Sequence, residues 1–134
     1  MSAQRMHERL GWSPSRSGVF LPDYEMVFNK HSNDGGKANI KYSPGNLVEG
    51  LVYSVNEEDL LILDKYEGVA AKQYKRHEIE VRNNNKHSIT EVTYKALNTG
   101  KVAAPTGEYL NYILEGKEFL SPGYYSKLKS TKTL

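Results

Sequence analysis

Glu67 breaks a local rule. It closes a stretch that reads as a helix, Asn56 to Tyr66, and lies just before Gly68, where a helix dipole disfavours an anion and favours a cation. A carboxyl group there holds its proton more tightly, the more so where Tyr66, Val69 and a neighbouring strand keep water away. A raised carboxyl pKa is what a general base and acid working near neutral pH requires. The plain alternative is an exposed glutamate at a helix end, so Glu67 becomes a candidate only when other features converge on it. Two tyrosines are placed to do so. Tyr74 opens a strand soon after the Glu67 turn, and Tyr109 sits in the first turn of a later helix, so both can line a pocket shared with Glu67. Tyr42, Tyr53 and Tyr94 read as alternating sheet residues packed on the core, and Tyr112, Tyr124 and Tyr125 as helix faces turned inward.

Other chemistries find no residues to carry them. The chain has no cysteine, which excludes disulfides, thiolate nucleophiles and cysteine-based zinc or iron–sulfur sites. His7, His31, His77 and His87 are far apart and at no helical spacing that brings two to one metal, so no metal site is expected. Gly36-Lys37, Gly100-Lys101 and Gly116-Lys117 are not followed by Ser or Thr, so there is no phosphate loop of the Walker kind, and Gly-x-Gly-x-x-Gly and Gly-x-Ser-x-Gly are both missing. The Asn83-Asn84-Asn85-Lys86 run and the tyrosines do not interleave with clustered basic residues as a single-strand-binding surface would.

The elements that must position Glu67 and the tyrosines follow from pattern. Ser2 to Gly11 reads as a helix with Ser2 as N-cap, Met6 and Leu10 four apart, and Gly11 as terminator. Trp12 to Gly18 is turn chemistry, and Val19 to Asn29 is a strand with Pro22 at an edge or break. Asn33-Asp34-Gly35-Gly36 turns into a half-buried strand in which Ala38, Ile40 and Tyr42 alternate with Lys37, Asn39 and Lys41. Ser43-Pro44-Gly45-Asn46 predicts another reversal, followed by a strand from Leu47 to Val55 with a bulge or close backbone approach at Gly50. Asn56 caps the next helix, whose first-turn acids Glu57, Glu58 and Asp59 suit its positive end. Tyr74–Arg82 and Ile89–Ala96 flank the Asn83-Asn84-Asn85 turn as an antiparallel hairpin. Pro105-Thr106 opens a helix running to Gly116, and Ser121-Pro122 opens the last one. The class is α+β with a mostly antiparallel sheet.

A length of 134 residues suits one domain, and 38% hydrophobic with 25% charged residues suits a folded one. Eighteen Lys and Arg against sixteen Asp and Glu give a net charge of +2, too slight for a nucleic-acid or anionic-membrane footprint. There is no Asn-x-Ser/Thr sequon, no apolar stretch near the ~20 residues of a spanning helix, and no apolar core of a secretory signal at the start, so a soluble cytoplasmic protein is the default expectation.

Together these residues carry a resemblance. Val48-Glu49-Gly50-Leu51-Val52-Tyr53-Ser54-Val55, then Leu63-Asp64-Lys65-Tyr66-Glu67-Gly68-Val69, then Tyr74, resemble the γ-glutamylcyclotransferase family, with its strand of the form V-x-G-x-V/L-x-Y and its helix ending L-D-x-x-E-G. Pro105-Thr106-Gly107-Glu108-Tyr109 and Leu120-Ser121-Pro122-x-x-Tyr125 are similar to that family's C-terminal P-S-x-x-Y and L-P-x-x-Y segments, so the likeness extends over nearly the whole chain.

The resemblance implies a small barrel-like sheet, mixed but mostly antiparallel, with flanking helices. It also implies an enzyme that cyclises a γ-glutamyl group to 5-oxoproline and frees an amine or amino acid. By the same resemblance Glu67 is the general base and acid, and Tyr74 and Tyr109 line the substrate pocket. The partner is then a small γ-glutamyl compound, with no nucleic acid, no membrane, no cofactor and no metal involved. Such a substrate carries its own nucleophile, so the enzyme must mainly fix its conformation and move protons. Alternatives are a family fold without catalysis that serves as a binding or interaction module, or the same chemistry on a γ-glutamylamine or a biosynthetic intermediate. The family's opening strand runs into Tyr-Gly-Ser-Asn, a loop whose amides hold the substrate. Met1 matches the last position of that motif, so the expectation is one domain over residues 1–134 lacking that strand and loop, with a frayed tail from Ser130 to Leu134.

Overall fold

The computed structural model describes all residues from Met1 to Leu134. Helix α1 spans Ala3–Leu10 and is capped as its sequence requires: Ser2 Oγ accepts the Arg5 N–H, and Gly11 closes it at φ 78°, in the left-handed region where glycine is unstrained. Strands β1 (Arg16–Ser32) and β2 (Gly35–Tyr53) form one long antiparallel hairpin. Helix α2 (Glu57–Tyr66) follows, then the hairpin of β3 (Tyr74–Arg82) and β4 (Ser88–Ala96), helix α3 (Gly107–Leu114), a 3₁₀ turn at Lys117–Phe119, and helix α4 (Pro122–Lys129). The sheet order is β2-β1-β3-β4, with every neighbour antiparallel. This is the expected α+β class.

The sheet curls. β1 meets β3 at one register pair, Phe20 opposite Arg82, and the outer strands approach each other, the buried Asn39 of β2 accepting the Ala96 N–H of β4 through Oδ1 at 2.9 Å. That bond satisfies an edge amide and gives the sheet its barrel-like closure. One core cluster, Phe28, Leu110, Ile113, Leu120 and Leu128, fills the space between β1 and the two C-terminal helices. A second, Val19, Leu21 and Val81, lies between β1 and β3.

Four sequence expectations need correction. Ser43 to Asn46 does not reverse the chain: β2 runs through it, and Asp23 of β1 stands alone opposite these residues, between the pairs Pro22–Leu47 and Tyr24–Tyr42. The turn-forming residues build a wide bulge, held by a Gly45 N–H bond to Asp23 Oδ1 at 3.0 Å, with Asp23 at φ 64° and Gly45 at φ 86°. Pro22, which has no N–H to give the ladder, marks the break. Gly50 is neither bulged nor approached: it pairs with Val19 in register, and a Cβ there would meet nothing within 4 Å. Tyr42 is 62% exposed and packs edge-to-face on Tyr24 at 5.7 Å, outside the core. β1 also begins at Arg16, earlier than its apolar pattern predicts, because its first residues pair with the end of β2.

Beyond Lys129 the chain returns to the body of the fold, where the Leu134 N–H donates to Pro105 O at 3.0 Å. No helix is long and apolar enough to cross a membrane.

Candidate active site

Helix α2 is fixed at both ends. Asn56 Oδ1 accepts the Asp59 N–H at 2.8 Å, Asp59 Oδ2 accepts the Asn56 N–H at 3.2 Å, and the buried Asp59 also accepts the Trp12 indole N–H at 3.1 Å. This reciprocal capping satisfies amides that the helix cannot pair internally. At the other end Glu67 is the C-cap residue, its N–H bonded to Leu63 O at 2.9 Å. Gly68 then turns at φ 65°, and the Val69 N–H returns to Asp64 O at 3.0 Å. A side chain at Gly68 would be strained by that φ and would press on Gln73 Cγ at 3.1 Å.

This turn delivers Glu67 to a cavity of about 620 Å³. Its walls come from α1 (Arg5, Met6, Arg9), the β1–β2 hairpin (Asp34, Lys37, Tyr53), the end of α2 (Tyr66, Glu67), Tyr74 of β3 and α3 with its cap (Thr106, Glu108, Tyr109, Tyr112, Ile113). Glu67, Tyr74 and Tyr109, far apart in sequence, therefore share one pocket. Burial pushes the Glu67 carboxyl pKa up, against the opposing pull of the Arg9 and Arg5 guanidiniums; Arg9 Nη1 stands 3.6 Å from Glu67 Oε1. Desolvation is thus the leading cause.

The two tyrosines converge on one residue of β2. Tyr74 Oη donates to Ala38 O at 3.1 Å, and the Ala38 N–H donates to Tyr109 Oη at 3.0 Å. Tyr109 reaches this place because Thr106 Oγ1 caps α3 by accepting the Tyr109 N–H at 3.1 Å. Burial raises both phenol pKa values, and the charge of Glu67 adds to the shift in each, so both hydroxyls stay protonated throughout the physiological range.

Three cations border the cavity and each lies over an aromatic ring: Arg9 over Tyr66 at 4.9 Å, Arg5 over Tyr112 at 4.5 Å and Lys37 over Tyr109 at 4.2 Å. Asp34, Glu67 and Glu108 supply the negative charge. The arrangement suits a small anionic or zwitterionic molecule held near one largely buried carboxylate.

Known proteins share this architecture. The AIG2-like family pattern matches residues 47–128, which hold Glu67, Tyr74 and Tyr109. Bovine γ-glutamylcyclotransferase is 32% identical over 131 residues, covering 92% of this chain and 69% of the relative. The chain belongs to this family, the AIG2-like γ-glutamylcyclotransferases. Human γ-glutamylcyclotransferase is 35% identical over 118 residues, covering 82% of this chain and 62% of its own length. The chain thus spans 62 to 69% of the length of these curated relatives. A solved γ-glutamyl cyclotransferase structure superposes with a TM-score of 0.90 at 30% identity, covering 99% of this chain and 83% of the other. YkqA from Bacillus subtilis superposes at 0.78 with 27% identity, covering 88% and 45%.

Several wall residues of this family member lie outside the matched segment and escaped sequence reading. Arg5 and Arg9 carried a usable signal, since residues four apart share a helix face. Lys37 and Asp34 carried none, because only the path of the β1–β2 hairpin brings them to the wall.

Proposed function

We propose that this γ-glutamylcyclotransferase family member cyclises the γ-glutamyl group of a small amide, releasing 5-oxoproline and the amine, with Glu67 as general base and then general acid. The observation that carries the reading is a carboxylate at the α2 C-cap, desolvated enough to raise its pKa yet facing a cavity of about 620 Å³ with Arg9 beside it. Burial moves such a carboxyl upward from its ordinary pKa, the direction that suits one residue serving as base and then as acid in a cycle.

The steps balance without an outside reagent. Glu67 takes a proton from the substrate's α-ammonium, and the freed lone pair attacks the γ-carbonyl carbon to close a five-membered ring. The old C–N bond then breaks, its electron pair leaves with the departing nitrogen, and Glu67 returns its proton there. The ring nitrogen loses a second proton as it becomes the lactam, and the released amine gains one as it becomes an ammonium. Since the nucleophile is part of the substrate, holding a folded conformer removes most of the entropic barrier. Tyr74 and Tyr109 narrow the cavity beside Glu67, and the cationic groups Arg5 and Lys37 suit the substrate's carboxylate.

The test is release of 5-oxoproline from a panel of γ-glutamyl amino acids and γ-glutamylamines. Glu67→Gln should lower kcat by about 10²–10⁴, the usual yield of a positioned general base, with the circular dichroism spectrum unchanged. An undiminished rate in that variant removes Glu67 from the reaction. Tight substrate binding without turnover in the unaltered protein favours a binding role instead.

A further inference from the structure

The two tyrosines that meet at Ala38 look interchangeable in sequence, but the polarity of the peptide group makes them opposites. The Ala38 N–H can only donate, so Tyr109 Oη must accept at 3.0 Å, which leaves the Tyr109 hydroxyl proton without an acceptor in the protein. The Ala38 carbonyl can only accept, so Tyr74 must spend its proton there at 3.1 Å and keeps only lone pairs to offer. Both residues line the cavity that holds Glu67. We infer that Tyr109 is the oxyanion donor of the cyclisation, its free O–H meeting the γ-carbonyl oxygen as that atom gains charge, while Tyr74 fixes the strand whose Ala38 amide holds the Tyr109 hydroxyl.

Further features of the site suit this role. The Ala38 N–H bond sets the position of Tyr109 Oη before substrate arrives, so little reorganisation is needed when charge develops. Lys37 Nζ lies 4.2 Å from the centroid of the Tyr109 ring and draws electron density from it, which strengthens the phenol as a donor. Burial and the nearby Glu67 charge keep the phenol protonated over the whole working pH range. Tyr53 also lines the cavity and has a buried hydroxyl, but no main-chain group fixes that hydroxyl as the Ala38 N–H fixes Tyr109 Oη.

This inference rests on the proposed cyclisation, and the experiment separates the two. Tyr109→Phe and Tyr74→Phe each remove one hydroxyl from Ala38, so their structural losses match; only the first removes a donor from the cavity. Tyr109→Phe should lower kcat by about 10²–10³ with KM changed less than about 3-fold, whereas Tyr74→Phe should lower kcat less than about 10-fold. Equal falls in kcat for the two variants overturn the assignment and leave the cyclisation reading intact. If the unaltered protein releases no 5-oxoproline from any substrate, that reading fails. Calorimetry with a tetrahedral phosphinate analogue of the γ-glutamyl group then decides the role of Tyr109. Binding by the unaltered protein that weakens about 10-fold or more in Tyr109→Phe, but not in Tyr74→Phe, upholds a donor to a tetrahedral oxyanion. No binding, or equal affinity in the two variants, overturns it.

Discussion

Arg76 of β3 grips Asp64 of α2 with two parallel hydrogen bonds, Nε to Oδ1 at 2.9 Å and Nη2 to Oδ2 at 2.8 Å. It also reaches Glu57, one end of the same helix, with Nη1 at 2.9 Å. Tyr94 of β4 adds a 2.6 Å bond to Asp64 Oδ1. One guanidinium thus pins both ends of α2 to the β3–β4 hairpin, and Glu67 follows Asp64 by less than a turn. Forked Arg–carboxylate pairs fix direction as well as distance, which a point-charge lysine does not.

Arg76→Met should therefore lower stability by about 1–2 kcal/mol, a figure reduced for the solvent that reaches the pair, measured by urea denaturation. Its pH dependence is set by Asp64, whose carboxyl is held below its ordinary 3.8 by the Arg76 hydrogen bonds and that of Tyr94. A depressed carboxyl contributes stability above its unfolded pKa and loses it as pH falls through the folded value. The difference between Arg76→Met and the unaltered protein should hold from pH 7 to about pH 5 and shrink below pH 4. A difference independent of pH would mean that Asp64 is not the group lost.

Much of this framework is legible in the sequence, because it rests on local chemistry. Asn56 and Asp59 announce the start of α2, Gly68 its end, and the alternation from Tyr74 to Arg82 matches β3 residue for residue. What fails is whatever a distant partner decides. Pro44-Gly45 has the same composition in a chain reversal as in a bulge, and only Asp23 on the facing strand distinguishes them. Glu67 stood out because it violates a rule within its own helix. Arg9 breaks no rule in α1; its spacing from Arg5 puts the two on one helix face, but only the packing of α1 beside α2 shows that this face meets Glu67.

Glu67 should cost the fold something at neutral pH. Its carboxyl pKa is raised above the ordinary 4.5, mainly by burial, so the neutral form is the one the fold favours. That contribution is fully present below the unfolded pKa and is lost as pH rises through the folded one. Glu67→Gln should consequently melt at a higher temperature than the unaltered protein at pH 7 and at nearly the same temperature at pH 4. Scanning calorimetry at the two pH values checks it, and a lower melting temperature at pH 7 would show that the Arg9 pairing outweighs desolvation.

The same carboxylate should govern the acid limb of kcat/KM. Arg9 and Arg5 both pull the Glu67 pKa down against burial, with Arg9 the stronger of the two. Arg9→Met should shift the acid limb to higher pH, and Arg5→Met should do so by a smaller step. A limb that stays in place in Arg9→Met means that the titrating group is not Glu67.

Trp12, the only tryptophan, reports on the start of α2 through its indole bond to the buried Asp59. Asn56→Ala should cost about 1 kcal/mol, the usual value of an N-cap, and free Asp59 from one of its two backbone contacts while the indole bond remains. Asp59→Ala should cost more, about 1–3 kcal/mol, because it leaves the Asn56 amide and the indole N–H without an acceptor. Trp12 emission should shift in Asp59→Ala and stay near its original wavelength in Asn56→Ala. An equal shift in both would place the indole contact under the control of the cap.

Gly36 tests whether the far wall of the site depends on backbone packing. Its N–H donates to Ala104 O at 3.0 Å, and the Ala103 N–H donates to Phe28 O at 2.9 Å, so the segment before α3 lies directly against the end of the β1–β2 hairpin. A Cβ at Gly36 would collide with the Ala103 carbonyl oxygen and stand 2.9 Å from Phe28 O, both main-chain atoms with no rotamer to yield. Gly36→Ala should cost about 1–3 kcal/mol as over-packing does, and the strain can be relieved only by moving the hairpin or the approach to α3. Either movement displaces Ala38 from Tyr109, since the two sit just beyond Gly36 and Thr106. Gly50→Ala is the matched control, as a Cβ there meets nothing within 4 Å. The expected result is a large loss of both stability and kcat in Gly36→Ala, and a stability change within about 0.5 kcal/mol in Gly50→Ala. Retained kcat in a destabilised Gly36→Ala would show that the Ala38–Tyr109 contact survives displacement of its supporting segment, and that the site is positioned from α2 and β3 instead.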